Sequence, residues 1–163
     1  MRRRYGLWLL APLLAGGLVG CATPPLAPAP GPEVTPREAV SVALPANEQI
    51  WGGVIVRGEN LPEFTRLEVV SYPLRNQEPQ TGRMTNGRFL LEVPGFLDPV
   101  DFRTGRRITA RGEVERTEAG RIGEVEYQFP VLVAEEVHLW PDEPVRGRDP
   151  GRVRFGIGIG IGL

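Results

Sequence analysis

The 163-residue chain carries one histidine, one cysteine and two serines, so few catalytic chemistries are open to it. Nucleophilic catalysis needs a base within hydrogen-bond reach of the nucleophile. His138 is the single imidazole, and Ser41 and Ser71 are the serines. In Val137-His138-Leu139-Trp140 a strand spacing of two puts His138 and Trp140 on one face, which reads as a surface histidine packed on an aromatic. Proton sensing near pH 6.5 is the alternative for it. One cysteine excludes an internal disulfide, and with one histidine it cannot form a Cys/His zinc cage. Carboxylates remain. Asp98 and Asp101 flank Pro99-Val100, and a glycosidase-type hydrolase needs two carboxyls about 5 to 9.5 Å apart across a cleft. Asp-Pro more often caps a turn, and that is the reading of Asp98. Glu113, Glu115, Glu124 and Glu126 read as solvated strand faces. No catalytic, metal or cofactor site is expected, and the protein is not expected to be an enzyme.

All 19 basic residues are arginine, against 20 acidic ones. Arg103, Arg106, Arg107 and Arg111 form a local basic cluster. Bidentate arginine suits anionic lipid headgroups or lipopolysaccharide phosphates, and these four are the candidate contacts. Nucleic-acid binding is not expected, because glutamates intersperse the arginines and the mature chain is acidic.

That acidity follows from the N-terminus. Arg2, Arg3 and Arg4 precede an apolar run from Leu7 to Val19, the layout of a secretory signal over residues 1–20. The run is too short for a comfortable span of about 20 residues. Without these arginines, 16 basic residues face 20 acidic ones, a charge near −4. Leu18-Val19-Gly20-Cys21 resembles the lipobox of bacterial lipoproteins. The resemblance implies cleavage before Cys21, a diacylglycerol thioether on its sulfur and acylation of its amine. Ala22 in place of aspartate implies sorting to the outer membrane. Two or more acyl chains hold for the life of a protein, where one is marginal.

The remaining elements must position whatever the anchor holds. Gly 21 and Pro 17 together reach nearly twice the usual share of roughly 12%, which argues against a helical bundle. Residues 21–36 hold prolines at 24, 25, 28, 30, 32 and 36 and read as an extended, lipidated linker. At about 3.1 Å per residue this linker would span roughly 50 Å and hold the domain off the bilayer. Thr35-Pro36-Arg37-Glu38 reads as a capping box opening a short helix that runs to about Leu44. Five strands follow: Gly53 to Arg57, Arg66 to Tyr72, Arg88 to Val93 after an Asn86-Gly87 turn, Arg107 to Glu115, and Glu124 to Trp140. Arg107 to Glu115 keeps apolar or small residues at even positions, one buried face and one wet. Pro130 marks the last strand as bent or edge. A loop from Pro94 to Gly105 separates the third and fourth strands. The expected fold is all-β, a small five-stranded Greek-key (OB-like) barrel over residues 37–142, with a β-sandwich as the alternative. Gly156 to Gly162 alternates glycine and isoleucine in a tail, 143–163, read as low-complexity rather than as an added strand.

Three phrases, Gly95-Phe96-Leu97-Asp98-Pro99-Val100-Asp101-Phe102-Arg103, Ile108 to Val114, and Tyr127 to Val133 with His138-Leu139-Trp140, resemble the Slp family of starvation-inducible outer-membrane lipoproteins. The resemblance covers roughly Gly53 to Trp140. It implies a lipid-anchored outer-membrane protein of the stress or stationary-phase envelope and carries no catalytic residues; a domain facing the periplasm is the expected placement, with an outward-facing one left open. The expected role is binding an envelope protein or lipopolysaccharide, or supporting envelope integrity. A weak periplasmic hydrolase using Asp98 and Asp101 is the alternative.

Overall fold

Alternation builds the walls. In the computed structural model, which describes residues 23–41 and 43–142, strand β2 (Phe64–Ser71) alternates half-buried and buried positions, with Thr65, Leu67, Val69 and Ser71 inward. β1 (Gln49–Asn60) brings in Trp51 and Ile55, and β5 (Gly87–Pro94) brings in Phe89, Leu91 and Val93. Between β2 and β5 a two-residue turn joins the short strands β3 (Leu74–Arg75) and β4 (Glu78–Pro79). β6 (Arg107–Ile122) buries Ile108, Ala110, Gly112 and Val114, the even positions of its alternating stretch. β7 (Val125–Leu139) adds Val131, Leu132 and Ala134 to the buried set.

The five long strands close a ring in the order β1-β2-β5-β7-β6 and back to β1. Every join is antiparallel except β5–β7, a parallel seam of three residue pairs from Leu90↔Val131 to Glu92↔Val133. This is the expected OB-like Greek-key barrel; ring closure leaves no place for a sandwich of two sheets. Register shifts at Ile55/Arg57, Arg111/Gly112 and Val114/Arg116 supply the bulges that let strands curve into a barrel. Gly112 is required at its bulge, because a Cβ there would stand 1.9 Å from the Val133 carbonyl oxygen. Pro130 pairs with Thr117 one residue before the seam to β5 opens at Val131, so β7 is an edge toward β5 at that point.

Two small elements close the barrel ends. Helix α1 (Pro36–Ser41) buries Ala39 and is tied to the start of β5 by the Arg37 N–H donating to the Asn86 carbonyl at 3.1 Å. Its capping box forms as expected: Thr35 N–H donates to Glu38 Oε2 at 2.8 Å and Glu38 N–H to Thr35 Oγ1 at 3.3 Å. At the other end Leu97 and Phe102, from the loop after β5, pack on the core, and Thr65 Oγ1 donates to the Gly95 carbonyl at 3.0 Å.

Besides adding the β3–β4 hairpin, the structure departs from the sequence reading of the fold in four places. The helix ends at Ser41, short of Leu44. Asn86-Gly87 makes no turn of its own; it delivers the chain beneath α1 into β5, with Gly87 at φ 105°. β6 and β7 extend past Glu115 as a paired arm to Ile122↔Val125, whose Tyr127 and Phe129 pack with Leu90 and Val131. The fourth concerns the proline-rich linker, which is not a free spacer. Leu26 is 7% exposed, and residues 26–34 lie along the barrel. A proline-rich chain has few amides to donate and carbonyls with no internal partner. Barrel side chains meet them: Asn47 Nδ2 donates to the Pro30 carbonyl at 2.8 Å, and Trp51 Nε1 to the Val34 carbonyl at 2.7 Å. Buried Gln49 takes the Val34 N–H on its Oε1 at 2.8 Å and donates from Nε2 to the Pro32 carbonyl at 3.3 Å. The folded unit thus begins near Leu26, not at Arg37.

Candidate functional site

The residues that fix the linker cluster on the flank where β3–β4 lies over β1 and β6. Asn76 and Gln77, at φ 50° and 65°, make the tight turn of that hairpin. The Gln77 side-chain amide then behaves like a strand partner for Leu26. Its Oε1 accepts the Leu26 N–H at 2.8 Å and its Nε2 donates to the Leu26 carbonyl at 3.0 Å. One residue on, Ala27 N–H donates to Glu136 Oε2 at 3.3 Å. The turn is itself held from below: Trp140 Nε1 donates to Thr109 Oγ1 at 2.9 Å, and Thr109 Oγ1 donates to the Gln77 carbonyl at 2.7 Å. Thr109 is therefore fully buried although its odd position would place it on the wet face. His138 and Trp140 meet edge to face at 4.5 Å, half-buried, on the shared strand face their spacing implies. Between linker and barrel runs a groove of about 680 Å³, with Val34, Trp51, Tyr72 and Leu74 among its walls.

The four arginines of the basic cluster are all in ion pairs. Arg103 and Arg106 share Asp142, at 2.7 and 2.9 Å. Arg107 meets Glu78 at 2.5 Å. Arg111 pairs with Glu48, with Glu136 at 3.0 Å and with Glu135 at 3.2 Å. The hydrogen bonds Arg111 donates to Glu136 and then to Glu48 raise it above its ordinary pKa, and those Glu136 accepts from Arg111 and the Ala27 N–H lower Glu136. Side-chain exposure is 12–15% for Arg106, Arg107 and Arg111 but 52% for Arg103.

Asp98 caps its turn. Its Oδ1 accepts the Val100 N–H at 2.8 Å and its carbonyl accepts the amides of Asp101 and Phe102. Both aspartates are exposed, and the adjacent hollow of about 320 Å³ is lined by Glu59, Asn60, Leu97, Phe102 and Arg103 rather than by either of them. Ser41 Oγ donates to the Arg37 carbonyl, and Ser71 is buried in the barrel. Glu113, Glu115, Glu124 and Glu126 are exposed, as their strand positions imply. Cys21, the signal segment and the Gly-Ile tail lie outside the described residues.

Gln77, Leu26 and Glu136 escaped the sequence reading. The only local signal was a pair of polar residues, Asn76-Gln77, between Leu74-Arg75 and Glu78-Pro79, and glutamine is an unusual residue for a positive-φ turn.

Comparison with known proteins agrees with the lipobox and the strand phrases. Residues 18–155 match the model of the outer membrane lipoprotein Slp family. An uncharacterized lipoprotein of Escherichia coli K12, YeaY, is 34% identical over 139 residues, 81% of this chain and 71% of its own length. Outer membrane protein Slp of the same strain is 30% identical over 91 residues, and an uncharacterized protein of Haemophilus influenzae 33% over 91. This chain spans about half the length of those last two, 48% and 49%. Among solved structures, the mitochondrial single-stranded DNA-binding protein Rim1 of Saccharomyces cerevisiae is similar at 16% identity over 59% of this chain and 96% of its own. Its TM-score is 0.37, a likeness that says nothing about what this chain binds. With its matched segment beginning inside the lipobox and running through the whole barrel, the chain belongs to the Slp family of outer membrane lipoproteins.

Proposed function

We propose that the protein is a non-enzymatic lipoprotein, acylated at Cys21, on the periplasmic face of the outer membrane. Its barrel acts by binding an envelope partner or by supporting envelope integrity under stress. The observation that carries this reading is the docked linker: the segment from Leu26 to Val34, which follows the lipobox cysteine by a few residues, is held on the barrel by side-chain hydrogen bonds. The hydrolase alternative has less support, because Asp98 serves its own turn and neither aspartate lines the nearby hollow. Headgroup contact through the basic cluster narrows to Arg103, since the other three arginines would have to surrender carboxylates while largely covered. Cross-linking of the tagged lipoprotein in cells, with mass spectrometry of what co-purifies, tests the reading against a Cys21→Ser control. A reproducible envelope partner lost in the control is expected. A partner set indifferent to the anchor contradicts it, as does a hydrolytic activity abolished by Asp98→Asn with Asp101→Asn.

A further inference from the structure

The docked linker also limits how the barrel can sit on its membrane. Thr23 borders a depression of about 550 Å³ on the flank, together with Arg75, Asn76, Gln80, His138 and Trp140. Thr23 is the second residue after Cys21, and two residue steps of chain span at most about 7 Å. A bilayer is about 30 Å of hydrocarbon within 40–45 Å overall, so each headgroup layer is roughly 5–7 Å deep. With the Cys21 acyl chains in the hydrocarbon, Thr23 cannot stand much beyond the headgroups. The flank that Thr23 shares with Arg75 and Trp140 is held there with it. A free linker would instead have let the domain tumble roughly 50 Å away.

The charges on this flank differ from those of the basic cluster. Glu78 is engaged by Arg107, and Glu136 by Arg111 and the Ala27 amide. Arg75, exposed at the tip of the β3–β4 hairpin, has no carboxylate partner among the described residues. Trp140, its Nε1 turned inward to Thr109 and its ring against His138, adds half-buried aromatic surface to the same flank. We infer that the flank built by the β3–β4 hairpin and the end of β7 lies in the headgroup layer of the membrane that holds the anchor, with Arg75 contacting lipid phosphate. The inference rests on acylation of Cys21. Gln77 is the positioning residue: its clamp on Leu26 converts a lipid tether into a fixed orientation.

The test uses the acylated mature lipoprotein in phosphatidylcholine vesicles containing phosphatidylglycerol and a headgroup nitroxide lipid. Acylation blocks Cys21, so a fluorophore can be placed singly through Gln80→Cys on the flank, Phe96→Cys on the loop after β5, or Val125→Cys on the arm. Quenching at position 80 is expected to exceed that at 96 and 125 by about three-fold or more. Adding Gln77→Ala should remove most of the difference with the far-ultraviolet spectrum unchanged. Adding Arg75→Gln should weaken quenching only where phosphatidylglycerol is present. Equal quenching at the three positions, on protein whose N-terminal peptide mass shows acylated Cys21, overturns the orientation alone. An unmodified Cys21 in the same spectrum overturns the anchor on which it rests.

Discussion

Replacing Glu92 by glutamine tests the energetics of the barrel at its thinnest join. Glu92 is the last β5 residue of the three-pair parallel seam to β7, its side chain only 9% exposed. Its Oε1 meets Arg66 of β2 at 2.5 Å and Arg116 of β6 at 2.7 Å. Both arginines also hold Glu118, at 3.1 and 2.8 Å. Four charges from three strands thus staple the β6 arm across the seam. Charge-assisted hydrogen bonds contribute about 1.5–3 kcal/mol each, and breaking a fully buried pair costs about 3–5. Here the guanidiniums are 29% and 39% exposed and keep Glu118, which reduces the loss to about 2 kcal/mol at pH 7. For a domain of this size that lowers Tm by roughly 8–12 °C. The pH dependence has a definite sign. Burial pushes the Glu92 carboxyl up, but the hydrogen bonds from Arg116 and Arg66, with the attraction of both charges, outweigh it and hold the pKa below its ordinary value. A carboxylate depressed in the folded state stabilises above its unfolded pKa and loses that contribution as pH falls through the folded one. The gap between wild type and Glu92→Gln is therefore full at pH 7 and closes as the pH drops below about 4. Urea denaturation of the signal-free Cys21→Ser chain from pH 7 to pH 3 reads both effects. A difference under about 0.5 kcal/mol at pH 7, or one that does not shrink with acid, refutes the reasoning.

Three further substitutions probe other contacts. Thr35→Ala removes the cap that starts α1 and costs about 1 kcal/mol by urea midpoint. Gly112→Ala forces a Cβ into the Val133 carbonyl and costs upward of about 3 kcal/mol or abolishes the near-ultraviolet signal, whereas Gly82→Ala, where a Cβ meets nothing within 4 Å, stays within about 0.5 kcal/mol. Trp51→Phe keeps an edge contact to Phe89 but loses the bond to the Val34 carbonyl, costing about 1 kcal/mol and exposing the linker to faster limited proteolysis.

Elements governed by local pattern were legible in the sequence. β2 alternates cleanly because one face packs the core, the first half of β6 does so except at buried Thr109, and the Thr35-Glu38 box declares itself within four residues. The Asp98 turn was readable for the same reason. What escaped depends on partners distant in sequence. Gln77 and Leu26 are 51 residues apart, and Arg111 and Glu48 are 63 apart. No window of sequence shows that a proline-rich segment will find side chains to satisfy its carbonyls, so it read as a spacer. Likewise the cluster of four arginines read as free charge, because Asp142, Glu78 and Glu48 reach it only once the barrel closes. The arm of β6 past Glu115 was missed because Arg116-Thr117-Glu118 is polar at successive positions, its pairing being with β7 and its charges with β2 and β5.

The central claim is that Cys21 carries the lipid that makes this barrel an outer-membrane protein. Mass spectrometry of the N-terminal peptide, taken from the protein in separated inner-membrane, outer-membrane and soluble fractions, tests it most directly. The account predicts a mature chain beginning at Cys21, carrying a diacylglycerol thioether and an N-acyl chain, and concentrated in the outer-membrane fraction. A soluble protein with an unmodified Cys21 thiol, or with the signal segment still attached, would contradict it.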